Sequence, residues 1–275
     1  MLWKRNLLMQ EKWFLEYIEQ VKVNKLDQAI QVLLDNVSKE QMIYKYCRGL
    51  SRDLRNLQDH MHWLSSAYTF NDPYDCFVTV DCNLKTDFPD PQEKDAIAIY
   101  SRRVESYKRA EQLRSSFFVT CFSENNDSFP LWAYYGANHK GICLGYNLYD
   151  LIIKYKCMPV IYSKEFPVYR EEDVNRSWIN ALRKSDEWMH EKEWRIVIRD
   201  DKHVGETGIM RAFPNPEEIY IGYKRRERLE KDTSEQYADT EELMEFAEKN
   251  DVRLYIPVIS KKEYKLIDKA LILNK

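Results

Sequence analysis

Two periodicities divide the chain. Over residues 6–22, Leu7, Leu8, Phe14, Leu15, Ile18 and Val21 share roughly one helical face, and over 26–37 Leu26, Ile30, Leu33, Leu34 and Val37 repeat at cleaner 3.6-residue spacing. This pattern predicts an N-terminal helical hairpin within residues 1–40, with Asn24 in the link as candidate N-cap. From residue 41 onward, strand-like runs at 42–46, 62–66, 117–122, 141–145, 158–162, 218–222 and 252–256 alternate irregularly with helical patterns at 52–60, 92–114, 148–156, 171–183 and 240–250. Irregular alternation argues against a βαβ repeat. The prediction is an α+β fold: residues 41–275 form one domain with a mixed or antiparallel central sheet and flanking helices.

Within these elements some assignments are more specific. Val174, Trp178 and Leu182 place an apolar face on the 171–183 helix, and Ile97, Tyr100, Val104 and Tyr107 place one on 92–114. The opposite side of the latter carries Arg102, Arg103, Lys108 and Arg109. Residues 81–91, polar and containing proline, form a candidate mobile loop. Asp239 or Thr240 caps the helix at 240–250. The last strand before the polar loop at 200–208 alternates strictly, with Glu193, Arg195 and Val197 on one face and Trp194, Ile196 and Ile198 on the other. Charges at alternate positions of a strand need something to meet.

Composition narrows the function classes. The 42 basic and 45 acidic residues leave a net charge of −3, so no global field attracts nucleic acid or an anionic membrane. Six cysteines without a C-x-x-C pair, four of them (Cys47, Cys121, Cys143, Cys157) among apolar neighbours, predict reduced core thiols and a cytoplasmic location. No run of about twenty apolar residues spans a membrane and no signal-type leader is seen, so no membrane association is expected.

The candidate chemistry centres on residues 117–146, where an apolar strand meets a polar loop, a short aromatic helix and a second strand, and where three of the seven glycines fall within ten residues. Phe70-Asn-Asp-Pro-Tyr-Asp75 reads as a rigid turn, because Asn and Asp before Pro bond locally to backbone. If these segments share one function, Asn71, Ser123, Trp132, His139, Glu193 and Arg195 line a single pocket. No Walker loop, G-x-G-x-x-G, H-E-x-x-H or G-x-S-x-G is present, and the five histidines lack zinc-site spacing. Two alternatives follow from the residues alone. Asn71, Glu193 and Arg195 form a buried network in a non-catalytic ligand- or protein-binding module, or Asp72, Asp75, Glu191 and Glu193 gather a divalent cation in a nucleic-acid enzyme.

Tyr44-Lys-Tyr46, Phe70-Asn-Asp-Pro-Tyr-Asp75, Val119-Thr-Cys-Phe-Ser-Glu124, Leu131-Trp-Ala-Tyr-Tyr135 with His139-Lys-Gly141, and Glu191-Lys-Glu-Trp-Arg195 resemble, in order and spacing, a bacterial family known only as a domain of unknown function. Leu131 replaces the family's usual Met. The motif order is similar in turn to that of ADP-ribosyltransferases, although Tyr44 or Lys45 stands where better-known members have His or Arg. That resemblance implies an NAD-consuming enzyme acting on a protein or nucleic-acid target, as a toxin or antiviral effector. Glu193 would stabilise the cationic transition state, Glu191 position the acceptor and Ser123 support the ribose. Tyr46, Asn71, Trp132, Tyr135, His139 and Arg195 would bind the NAD substrate, with no metal. The hairpin would serve as packing accessory or partner surface.

Overall fold

The strand-like runs pair into one mixed sheet of nine strands among the described residues. The computed structural model describes residues 12–76, 79–80, 96–165, 168–169, 178–225, 240–263 and 265–267. The chain starts with α1 (Lys12–Lys22), α2 (Leu26–Asn36), β1 (Met42–Cys47), α3 (Ser51–Gln58), β2 (Met61–Ser66), β3 (Thr79–Val80) and α4 (Ala96–Ser115). The middle holds β4 (Phe117–Ser123), α5 (Phe129–Tyr134), β5 (Ile142–Asn147), α6 (Leu148–Tyr155), β6 (Met158–Pro159), β7 (Ile161–Ser163), β8 (Val168–Tyr169) and β9 (Arg183–Ser185). It continues with β10 (Glu193–Arg199), β11 (Gly208–Ala212), β12 (Glu218–Ile221), α7 (Thr240–Lys249), β13 (Arg253–Tyr255), β14 (Val258–Ile259) and β15 (Leu266–Ile267).

The sheet runs β11-β2-β4-β1-β5-β12-β13, and β10 pairs with β4 off this path. All pairings in it are antiparallel except β12 with β13. β10 covers one whole edge of β4, from Glu193↔Ser123 to Arg199↔Phe117. β1 and β2 therefore share the other edge, β1 at Tyr44↔Ser123 and β2 at Ser65↔Val119 and Ser66↔Phe118. The two strands diverge, and the sheet forks over Thr120, Cys121 and Phe122.

One face of the sheet buries Ile43, Phe122, Leu144, Trp194, Ile196 and Ile219 against helices. Phe14, Tyr17 and Val21 of α1, Leu33 of α2, Leu151 of α6 and Phe246 of α7 belong to the same core. The hairpin thus packs into the main core; each such large apolar side chain contributes about 1.5–3 kcal/mol. The other face carries Tyr44, Tyr46, Cys143 and Tyr220 under Trp132 of α5. Next to them lies a charged cluster, roofed by the segment 178–191.

Three local expectations differ from the structure. Asn24 does not cap α2, whose N-cap is Lys25 without a side-chain bond. Instead Asn24 is left-handed at φ 59°, and the Lys25 N–H to Gln20 O and Asn24 N–H to Val21 O bonds close the end of α1 as a Schellman motif. Ile97, Tyr100 and Val104 of α4 face solvent, Ile97 being 85% and Tyr100 64% exposed; the helix is anchored near its C-terminal end, where Arg114 is buried with its guanidinium over the Tyr68 ring. In the stretch read as a helix over 171–183, residues 178–182 form a 3-10 turn and Arg183 opens β9, because Ile161, Tyr162 and Ser163 of β7 pair in parallel with 183–185. Residues 171–177, the 81–91 loop and the cap at Asp239 lie outside the described residues.

Candidate functional site

The fork opens a cavity of about 290 Å³. Residues paired across antiparallel strands share a face, so Tyr44 of β1, Ser123 and Cys121 of β4, and Glu193 and Arg195 of β10 stand together. Tyr44, Tyr46, Phe70 and Tyr135 give the cavity aromatic walls, and Asn71 is exposed at its edge. Glu191, Glu193, Asp75 and Lys184 form its charged side. Lys45 also lines the cavity, from the opposite face of β1. Its Nζ donates to Thr120 Oγ1 at 2.8 Å, the atom that also bonds His62 Nε2 at 2.8 Å. Burial, aided by the Lys45 charge, holds the His62 imidazole well below its ordinary pKa, so it stays neutral beside the ammonium.

The charged side is a closed network. Arg195, fully buried, donates from Nε to Glu193 Oε1 at 2.6 Å and from Nη2 to Glu193 Oε2 at 3.1 Å. Its Nη1 and Nη2 grip both oxygens of Asp75 at 2.8 and 2.7 Å, and Nη1 also donates to the Ala181 carbonyl at 2.8 Å. All five guanidinium hydrogens therefore have acceptors. Lys184 Nζ donates to Glu191 Oε2 at 2.5 Å and Glu193 Oε2 at 2.8 Å, with Asp75 Oδ2 at 3.6 Å. Tyr135 O–H donates to Glu191 Oε1 at 2.9 Å. Ser123 O–H donates to the Glu191 carbonyl at 2.6 Å and its oxygen accepts the Asn125 N–H, which ties β4 to the segment leading into β10.

These contacts pull the two glutamates apart electrostatically. For Glu193, burial opposes the charge, but Arg195 and Lys184 hold the carboxyl well below the usual range. For Glu191, burial dominates and the Glu193 charge adds to it; Lys184 offsets only part, and the pKa rises. Burial lowers the Lys184 pKa, but Glu193, Asp75 and Glu191 outweigh it, raise the pKa and keep the ammonium charged. One carboxylate stays ionised while its neighbour more readily takes a proton, the pairing that acid–base chemistry requires. Asp72 is occupied elsewhere: its Oδ1 accepts the Tyr74 N–H within the turn that turns Asp75 inward. Lys184 and Arg195 stand among Asp75, Glu191 and Glu193, where a divalent cation would have to sit. Among the described residues no group of His, Cys, Asp or Glu is arranged to hold a metal ion.

The segment from α5 to β10 also carries a similarity to a known family. Over residues 131–196 the chain is similar to a family described as protein of unknown function (DUF2971). The match covers the aromatic helix from Leu131 on, the His139-Lys-Gly141 turn and the Glu191–Arg195 stretch, and leaves Tyr44–Tyr46, Phe70–Asp75 and Val119–Glu124 outside it. No curated protein and no solved structure matches the chain.

The site residues expected from the sequence take unequal positions. Tyr46, Asn71, Ser123, Tyr135, Glu191 and Glu193 line the cavity together. Trp132, His139 and Arg195 do not. Trp132 is fully buried behind Tyr46, their ring centroids 5.2 Å apart at 88°, and its Nε1 donates to the Asn126 carbonyl. His139 lies one layer further back, stacked on Trp132 at 6.4 Å. It ends a left-handed run of Ala137, Asn138 and His139, and its carbonyl accepts the Lys224 N–H. Arg195 cannot reach a phosphate because every donor is taken. Sequence reasoning passed over Lys184, which no motif marks, and gave Lys45, inside the Tyr44-Lys-Tyr46 motif, no place among the binding residues; its position as the solitary lysine in a strand-like run of apolar and aromatic residues at 42–46 was the available signal.

Proposed function

We propose that the cavity binds an NAD-type dinucleotide and cleaves its N-glycosidic bond, passing the ADP-ribosyl group to a protein or nucleic-acid acceptor. The observation that carries this reading is the polarity of the cavity. On one side three carboxylates face two cations, leaving an excess of negative charge beside tyrosine rings. On the other, Lys45 has no carboxylate within ion-pairing distance among the described residues. A cationic pyridinium ring suits the first side, through charge and ring contact, and phosphate suits the second. As the bond between nicotinamide and C1′ breaks, its electron pair leaves with nicotinamide and positive charge develops on the ribose. A fixed carboxylate at Glu193 stabilises that charge without reorganising, and Glu191 takes the proton of the attacking acceptor. Ser123 supports Glu191 through its main-chain carbonyl.

Purified protein incubated with NAD should release nicotinamide, and Glu193→Gln should abolish release. Absence of release from the parent, or equal release from the variant, overturns the proposal. The saturation of Arg195 favours one other reading, a binding module in which the Asp75–Arg195–Glu193–Lys184 network fixes the fold. That reading predicts NAD bound but uncleaved.

A further inference from the structure

A chain of aromatic rings leads from the cavity wall to the surface. Tyr135, whose hydroxyl holds Glu191, lies 6.2 Å from Tyr134, and Tyr134 lies 6.4 Å from Trp188 at an interplanar angle of 72°. His190 stacks against Trp188 at 6.1 Å, its Nδ1 bonded to the Glu187 carbonyl at 3.2 Å. On the inner side, Lys184 Nζ sits 5.1 Å from the Trp188 centroid. Tyr134 nevertheless leaves 64% of its surface to water. A floor and a wall of nearly perpendicular rings therefore form an open corner continuous with the charged side of the cavity.

We infer that this corner, built from Tyr134 and Trp188, is a stacking subsite for a purine base. The inference rests on the dinucleotide reading. At about 290 Å³ the cavity is at the small end of ligand pockets. It houses one nucleoside half, and in a dinucleotide folded back at the phosphates on the Lys45 side the second heterocycle returns outside the cavity, next to its charged side. The aromatic corner is an open stacking surface contiguous with the cavity wall through Tyr135 and Lys184. A planar base covers the Tyr134 face and meets Trp188 edge-on, gaining contact without needing a charged partner.

AMP is the decisive probe because it carries the purine but not the scissile bond. Titrated by calorimetry, it should bind the parent, and Tyr134→Ala, at a solvent-exposed position, should weaken binding by about tenfold. Nicotinamide mononucleotide, which lacks the purine, should bind parent and variant alike. Trp188→Leu should weaken AMP binding similarly, with thermal melting as a check on its fold, since Trp188 packs over Lys184. Failure of the parent to bind AMP, or equal affinity in parent and Tyr134→Ala, overturns the subsite. The two proposals fail separately: AMP binding sensitive to Tyr134 without nicotinamide release sinks only the cleavage chemistry, and cleavage with an unchanged KM for NAD in Tyr134→Ala sinks only the subsite.

Discussion

Replacing Lys184 by Met keeps most of the aliphatic stem but removes an ammonium 2.5 Å from Glu191 Oε2, 2.8 Å from Glu193 Oε2 and 3.6 Å from Asp75 Oδ2. Arg195 continues to hold Asp75 and Glu193, so Glu191 is the group left with only the Tyr135 hydroxyl. Each contact near 3 Å is worth about 5 kcal/mol gross at an effective dielectric of about 20. Returning the lysine to water in the unfolded state offsets much of this, and breaking a buried pair costs about 3–5 kcal/mol net. For a chain of this size the melting temperature should fall on the order of 10 °C. The sign of the pH dependence follows. Without Lys184 the folded-state pKa of Glu191 rises further above its unfolded value, so the folded form binds more protons than the unfolded one. The deficit is therefore greatest at neutral pH and shrinks as pH falls into the carboxylate range. Urea titrations of parent and Lys184→Met at pH 7.5 and pH 5 test both parts. A loss below about 1 kcal/mol, or a deficit that widens on acidification, would refute the view that Lys184 neutralises a buried carboxylate cluster.

Other consequences are as specific. A Cβ on Gly222 would run into the His139 carbonyl, part of a clamped left-handed turn with no room to shift, so Gly222→Ala should cost at least about 2 kcal/mol in urea unfolding; a neutral result would mean that the turn yields. His62 has a folded pKa well below its unfolded value of about 6.5, so protons bind preferentially to the unfolded chain and stability should fall as pH drops below that value, by up to about 1.4 kcal/mol per unit. His62→Asn should show a shallower slope between pH 7 and 5, and identical slopes would show that the imidazole titrates normally in the fold.

How much of this was legible in the sequence depends on the range over which each feature is decided. The alternation over 193–199 showed which side chains enter the core, because a strand turns every second residue to the same face: Trp194 and Ile196 are in the main core while Glu193 and Arg195 share the opposite face. The turn at Phe70–Asp75 was equally readable, since Asp72 bonds its own neighbour, two residues on. The hairpin followed from helical periodicity alone. Ile97, Tyr100 and Val104 on α4 misled, because periodicity shows that a helix has an apolar side but not that another layer covers it. Lys184 was invisible for a related reason: Glu191 and Glu193 lie only 7 and 9 residues along the chain, but no periodicity shows that they turn back onto it, and the pairing of β9 with β7 and of β10 with β4 is what fixes that return. Arg195 read as an NAD-binding residue until Asp75, 120 residues away, proved to grip it. The cavity itself exists because β1 and β2 compete for one edge of β4. Local patterns determine which atoms seek burial; which charge meets which, and where a gap is left, is decided by long-range strand pairing.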